Sequence, residues 1–172
     1  LGDLAHITRE GDGDMEPGAI TRLACETDAP APLMENIRGV AAGFRILGAP
    51  AARSSRKDMP YARVALSLGL EPASTVPQIV DALLANRERP GIKPGRVDAA
   101  TAPSRQHILR GDDANLDRFP IPFAHDSDGG RYANTWGMLI AKTPDGRWTN
   151  WSIARVMKVA GKRMAGLMVP SQ

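Results

Sequence analysis

The chain has 172 residues, 42% hydrophobic and 24% charged, with 17 glycines and 14 prolines, which suits one core and many turns. Its net charge of +3 arises from 22 basic residues spread among 19 acidic ones, and aromatics are only 5%, so the clustered basic face of a nucleic-acid binder is not in the pattern. The lone cysteine, Cys25, excludes an intramolecular disulfide and a thiolate metal cluster, and no apolar run approaches membrane-spanning length.

The opening residues, Leu1 to His6, lack the basic and apolar regions of a secretory leader, and with a reduced cysteine this implies a cytoplasmic setting. Between Asp14 and Asp28, Ile20, Leu23 and Ala24 fall at helical spacing behind Glu16 and Pro17, a favoured first-turn pair; Cys25 is expected to be a small buried residue of that helix. Ala31 to Asn36 and Gly43 to Gly48 are short runs bounded by Pro, Asn and Gly, which predicts two strands. Helical spacing returns from Pro60 to Leu70. A stronger helix follows, in which Val76, Ile79, Val80, Leu83 and Leu84 form one apolar stripe, expected to be core, with Ser74 or Thr75 as cap.

Arg89 to Arg96 breaks any helix, and no period is visible as far as Gln106, so a linker is expected there. After Leu116 to Pro122 the chain reads as a meander of strands over Thr135 to Thr143, Trp148 to Val159 and Arg163 to Val169, with turns at Asp145-Gly146 and Ala160-Gly161. The fold class is therefore mixed α/β (α+β). An N-terminal lobe with linker is expected over 1–110 and a strand-rich domain over 111–172.

Thr149 to Arg155 concentrates the chemistry: an amide, hydroxyls and a guanidinium lie within a β-like segment. As an ordinary strand it would turn Trp151 and Ile153 inward and its polar residues outward. An amide oxygen at Asn150 can ligate a hard cation, Ser152 with neighbouring backbone N–H groups can hold phosphate oxygens, and the planar fork of Arg155 matches a carboxylate. Asn150 and Arg155 have opposite strand parity, so serving one pocket requires a bulge near Ser152 to Ala154. The histidines His6, His107 and His125 show no metal-ligand spacing, and Gly11 to Asp14 fits neither a dinucleotide nor a calcium loop.

The runs Asp128 to Tyr132, Thr143 to Trp148, Thr149 to Arg155 and Gly166 to Gln172 resemble, in order and spacing, the UbiD-type decarboxylases, in particular the ferulic and cinnamic acid decarboxylases. Ala19 to Arg22, Ala31 to Leu33, Arg45 to Pro50 and Leu116 to Pro122 extend the likeness. The resemblance implies that the strand-rich part opens a split β-barrel that binds prenylated FMN, with the phosphate bridged by a divalent metal, usually manganese, and a potassium ion alongside. It implies Asn150 as metal ligand, the Trp151 carbonyl as potassium ligand, and Thr135, Ser152, Ile153, Ala154, Arg155 and Gln172 as cofactor contacts. Arg155 is implied as the catalytic arginine that pairs with the substrate acid, beside Val169 and Gln172 in the substrate pocket.

The implied activity is reversible decarboxylation of α,β-unsaturated or aromatic acids. In the family's pattern a metal-binding His and Glu and two catalytic Glu residues follow beyond the position of Gln172. The chain is therefore expected to be the leading portion of a longer enzyme, inactive alone, with the remaining C-terminal part and a second copy as partners in a dimer. The alternative is a non-catalytic flavin-binding or assembly module that retained the fold.

Overall fold

In the computed structural model, residues 1–134 and 137–167 are described. Packing divides the chain into two compact units, one formed by Leu1–Pro50 with Asn115–Gln172, the other by Ala51–Ala114.

The first unit opens with a parallel pair, β1 (Leu4–Ile7) and β2 (Ala31–Met34), in register from Leu4↔Ala31 to Ile7↔Met34. Parallel neighbours need a crossover, and α1 (Glu16–Glu26) supplies it. Pro17 in its first turn gives up an N–H that would have no helical acceptor, and Met15, at φ 64°, turns the chain into the helix without a side-chain cap. A Cβ on Gly18 would lie 1.9 Å from the Ala124 carbonyl oxygen, so only glycine lets α1 approach that segment so closely. Pro17 and Ala24 face inward, whereas Leu23 is exposed. Cys25 is exposed too, contrary to the buried role its small size suggested; it lies on the solvent side of the turn that buries Ala24. β3 (Ile46–Leu47) adds to β2 antiparallel and is shorter than the run 43–48 predicted.

The strands from 131 onward form two separate, open sheets. β4 (Arg131–Asn134), β7 (Val156–Ala160) and β8 (Arg163–Gly166) make an antiparallel sheet in the order β4-β7-β8, while β5 (Met138–Lys142) and β6 (Thr149–Ile153) form a hairpin of their own. Gly146, at φ 70°, closes the hairpin turn, with its N–H donating to Thr143 O at 2.8 Å. Arg131 ties the sheet back to the amino-terminal part of the unit, donating from Nη1 to the carbonyls of Gly13 and Ile121, each at 3.0 Å.

The expected continuous strand from Trp148 to Val159 is instead two strands in two sheets. The β5–β6 ladder is regular from Lys142↔Thr149 to Met138↔Ile153, and the expected bulge within Ser152 to Ala154 is replaced by a change of sheet at Ala154 and Arg155. The strand predicted over 163–169 ends at Gly166 among the described residues. Thr135, Val169 and Gln172 lie outside the described residues.

The second unit holds α2 (Ala62–Ser67) and α3 (Val76–Arg87). Thr75 caps α3 in a capping box with Gln78, as its sequence allowed. Its apolar stripe is not core: Ile79 is 7% exposed, but Val80, Leu83 and Leu84 are 45%, 52% and 53% exposed. Helical spacing identifies which residues share a face, but it does not supply the neighbour that would cover them.

Candidate functional site

The site grows out of the sheet switch. Directly opposed residues in an antiparallel sheet turn their side chains to one face, and the registers Tyr132↔Met157 and Met157↔Ala165 put three residues in one row across β4, β7 and β8. That row floors a concavity of about 490 Å³ whose wall comes from Ile153, Ala154 and Arg155 at the break and from Gly166 and Leu167 after β8. A second concavity, of about 610 Å³ and more polar, is lined by Pro122, Ala124, His125, Asp128, Tyr132, Ala133 and Arg155. Tyr132 and Arg155 form part of both.

The Arg155 guanidinium lies over the Tyr132 ring, with Cζ 3.7 Å from its centroid, and Nη2 donates to Asp128 Oδ1 at 3.0 Å. A guanidinium over an aromatic face gains from the ring quadrupole, and a carboxylate on one edge fixes its rotation. The turn that carries Asp128 is pressed onto β7: a Cβ on Gly130 would lie 2.8 Å from Met157 Sδ. Neither Gly129 nor Gly130 has a positive φ, so what a side chain at 130 would meet is the Met157 side chain rather than a backbone restriction.

Of the residues singled out from sequence, Ile153, Ala154 and Arg155 come together at the first concavity. Asn150 and Ser152 do not line either one; they pair with Ala141 and Leu139 and share one face of the hairpin. Trp151 lies on the opposite face, 58% exposed, level with Ile140. Its main chain is better placed than its ring. Thr143 N donates to Trp148 O at 3.0 Å, and alternation from that hydrogen-bonded pair leaves the N–H and C=O groups of Thr149, Trp151 and Ile153 directed away from β5. No other strand pairs with that edge among the described residues.

Asn150 Oδ1 and the Trp151 carbonyl are hard oxygen donors of the kind that suit Mn2+ or K+. Among the described residues no group of three or more His, Cys, Asp or Glu side chains could hold a metal, so this chain offers at most part of a coordination sphere. A mostly apolar concavity with a guanidinium at its rim fits a flat ring that bears an acidic group. Sequence reasoning missed Asp128 and Tyr132 as partners of Arg155. The signal was the Asp-Gly-Gly-Arg-Tyr run itself, but a separation of 27 residues between Asp128 and Arg155 is bridged only by the β4–β7 pairing.

Residues 1–83 match the 3-octaprenyl-4-hydroxybenzoate carboxy-lyase N-terminal domain and residues 95–172 match the Rift-related domain of the same enzyme group. Ferulic acid decarboxylase 1 of Saccharomyces cerevisiae is 44% identical over 171 residues, which cover 99% of this chain and 34% of the relative. Pyrrole-2-carboxylic acid decarboxylase of Pseudomonas aeruginosa is 40% identical, again over 99% of this chain and 34% of the relative. The chain thus spans about a third of the length of these curated relatives. Among solved structures, the UbiD-class enzyme HmfF from Pelotomaculum thermopropionicum, an evolved dimeric form in complex with prFMN, superposes with TM-score 0.75 at 26% identity, covering 98% of this chain and 36% of that one. Vanillic acid decarboxylase of Sedimentibacter hydroxybenzoicus, in open form, superposes with TM-score 0.80 at 20% identity, covering 96% of this chain and 33% of that one, a likeness of fold.

Proposed function

The chain belongs to the UbiD family of carboxy-lyases, and from that premise we propose that it is the leading part of a reversible decarboxylase of α,β-unsaturated or aromatic carboxylic acids that uses prenylated FMN. The observation that carries the proposal is Arg155: its guanidinium stands at the rim of an apolar concavity, stacked on Tyr132, with one edge on Asp128 and the other open to an acid. The prenylated flavin, when bound, supplies the covalent chemistry of carbon dioxide loss. This chain's residues would bind and orient: Arg155 forks the substrate carboxylate, and Tyr132 and Met157 present an apolar surface that excludes water from the acid's ring.

In this proposal Asn150 contributes an amide oxygen to the divalent metal, manganese, and Trp151 its main-chain carbonyl to potassium. Thr135, Ser152, Ile153, Ala154, Arg155 and Gln172 contact the cofactor, while Val169, Gln172 and Arg155 meet the substrate. The active protein is a cytoplasmic dimer whose proton donors and remaining metal ligands lie in the rest of the polypeptide, and the division at 110/111 marks its two parts.

Loading the full-length protein with prenylated FMN and manganese and following cinnamate consumption tests the reading. Turnover that disappears in Arg155→Ala supports it, and turnover undiminished by that change overturns it. The 172-residue chain alone is expected to show none.

A second reading, a non-catalytic flavin-binding or assembly module, is favoured by the hairpin: Met138, Ile140, Trp151 and Ile153 are all more than half exposed on one face beside an unpaired edge. A full-length protein that binds FMN tightly but turns over none of a panel of aromatic and unsaturated acids would select it.

A further inference from the structure

Asp128 is set deeper than the carboxylates of Glu10, Asp12, Glu16, Glu26, Asp58 and Asp145, which also pair with arginines. Its side chain is 12% exposed while that of Arg155 is 49% exposed, so the carboxylate is set into the protein and the arginine projects from it. The contact is one-sided: one hydrogen of Nη2 donates to Oδ1 at 3.0 Å, and Nε and Nη1 have no hydrogen-bond partner among the described residues, so one two-donor edge, formed by the second Nη2 hydrogen with that of its neighbour, stays open. The Tyr132 ring, with its centroid 3.7 Å from Cζ, supports the guanidinium independently. Asp128 is itself held in place because its turn is packed through Gly130 against Met157 of β7, two residues beyond Arg155.

From this arrangement we infer that Asp128 is a positioning residue: by holding one Nη2 hydrogen it fixes the Arg155 guanidinium over Tyr132, so that the remaining two-donor edge presents parallel donors to an incoming carboxylate. The inference rests on the reading of Arg155 as the acid-binding group and adds how that group is held. A long side chain free to rotate would have to be ordered by the ligand, at a cost in affinity; a guanidinium already fixed at one edge has lost that freedom beforehand. The clamp does carry an electrostatic penalty, because a negative charge near an anion site weakens binding of the anion.

That penalty gives the test its sign. Benzoate is titrated calorimetrically into the full-length protein purified without cofactor, comparing the parent with Asp128→Ala, Asp128→Asn and Arg155→Lys. Positioning by Asp128 predicts benzoate binding about tenfold weaker in Asp128→Ala, the scale of a lost charge-assisted hydrogen bond, and a smaller loss in Asp128→Asn, whose amide oxygen still accepts from Nη2. If Asp128 were only a nearby charge, both substitutions would tighten binding. Unchanged or tighter binding in a folded Asp128→Asn protein overturns the inference even should Asp128→Ala fail to fold. Arg155→Lys keeps the charge and removes the fork: parental benzoate affinity there defeats the reading of Arg155 itself, whereas a loss in Arg155→Lys without one in the Asp128 variants defeats only the clamp.

Discussion

Two neighbouring strands, β6 and β7, come from one uninterrupted β-like stretch of sequence, yet they live in different surroundings. β7 is the central strand of its sheet, with Val156, Met157 and Lys158 half-buried between β4 and β8. β6 is one arm of a hairpin, with four of its five residues exposed and one edge unpaired among the described residues. What separates them is Ala154 and Arg155, and the candidate site is built at that joint. A local sequence can specify extended backbone on both sides of such a joint without specifying which partner each side takes.

The largest effect should come from the joint itself. Arg155→Ala in the full-length, cofactor-loaded protein is expected to lower kcat/KM for an aromatic or unsaturated acid on the order of 100-fold, as expected for loss of a bidentate charged contact. Its unfolding midpoint should fall by no more than about 5 °C, the scale of one charge-assisted hydrogen bond and one cation–π contact at a half-exposed side chain. A melting transition that falls further, along with activity, would instead make Arg155 part of the scaffold.

Packing on the sheet side comes next. Gly130→Ala places a Cβ 2.8 Å from Met157 Sδ and should destabilise by about 1–3 kcal/mol in urea titration, because Met157 or the turn must move. On the hairpin side, Gly146→Ala, at φ 70°, should cost about 1 kcal/mol, chiefly through backbone conformation, since the Lys142 Cε that a Cβ would meet at 3.3 Å ends a flexible side chain. Equal costs at the two positions would mean that the sheet is no more tightly packed than the hairpin.

A direct contrast between faces is smaller still. Met157→Ala is expected to cost about 1–2 kcal/mol, below the range for fully buried methionine, while Ile140→Ser, at a residue 58% exposed, should stay within about 0.5 kcal/mol in the 172-residue chain. If Ile140→Ser costs several times more in the full-length protein than in this chain, the hairpin face is covered there.

The mildest effect is on pH dependence. Lys158 of β7 hydrogen-bonds Asp117 and, by that bond and then its charge, holds the Asp117 carboxyl below the usual carboxylate range. A depressed folded-state pKa contributes stability that is complete above the unfolded value of about 3.9 and fades as pH falls through the lower folded value. Acid unfolding of Asp117→Asn should therefore have a shallower slope below about pH 4 than that of the parent; identical slopes would show that the pair is inert.

Much of the fold was legible because its signals are local. Glu16 and Pro17 announced α1, the Thr75 cap and its Gln78 partner announced α3, and Gly146 announced the hairpin turn. The conflict of parity between Asn150 and Arg155 required irregular backbone only if both served one pocket; the strand does break, at Ala154 and Arg155, but by a change of sheet, and Asn150 lines neither concavity. What could not be read were facts of pairing. The exposure of Val80, Leu83 and Leu84 depends on a neighbour, and the meeting of Asp128, Tyr132 and Arg155 depends on β4 lying beside β7. Periodicity names a face; only the register says what stands opposite it.

The outward main-chain groups of β6 make one part of this surface insensitive to ordinary mutation. The oxygen that Trp151 presents on that edge belongs to the peptide linkage, so exchanging the indole for any other side chain leaves it where it is. Drift at position 151 could therefore erase the tryptophan from descendants of this gene while the carbonyl kept its place. Only a change to the strand's own path, or an ester put in place of the amide by chemical synthesis, would alter that oxygen.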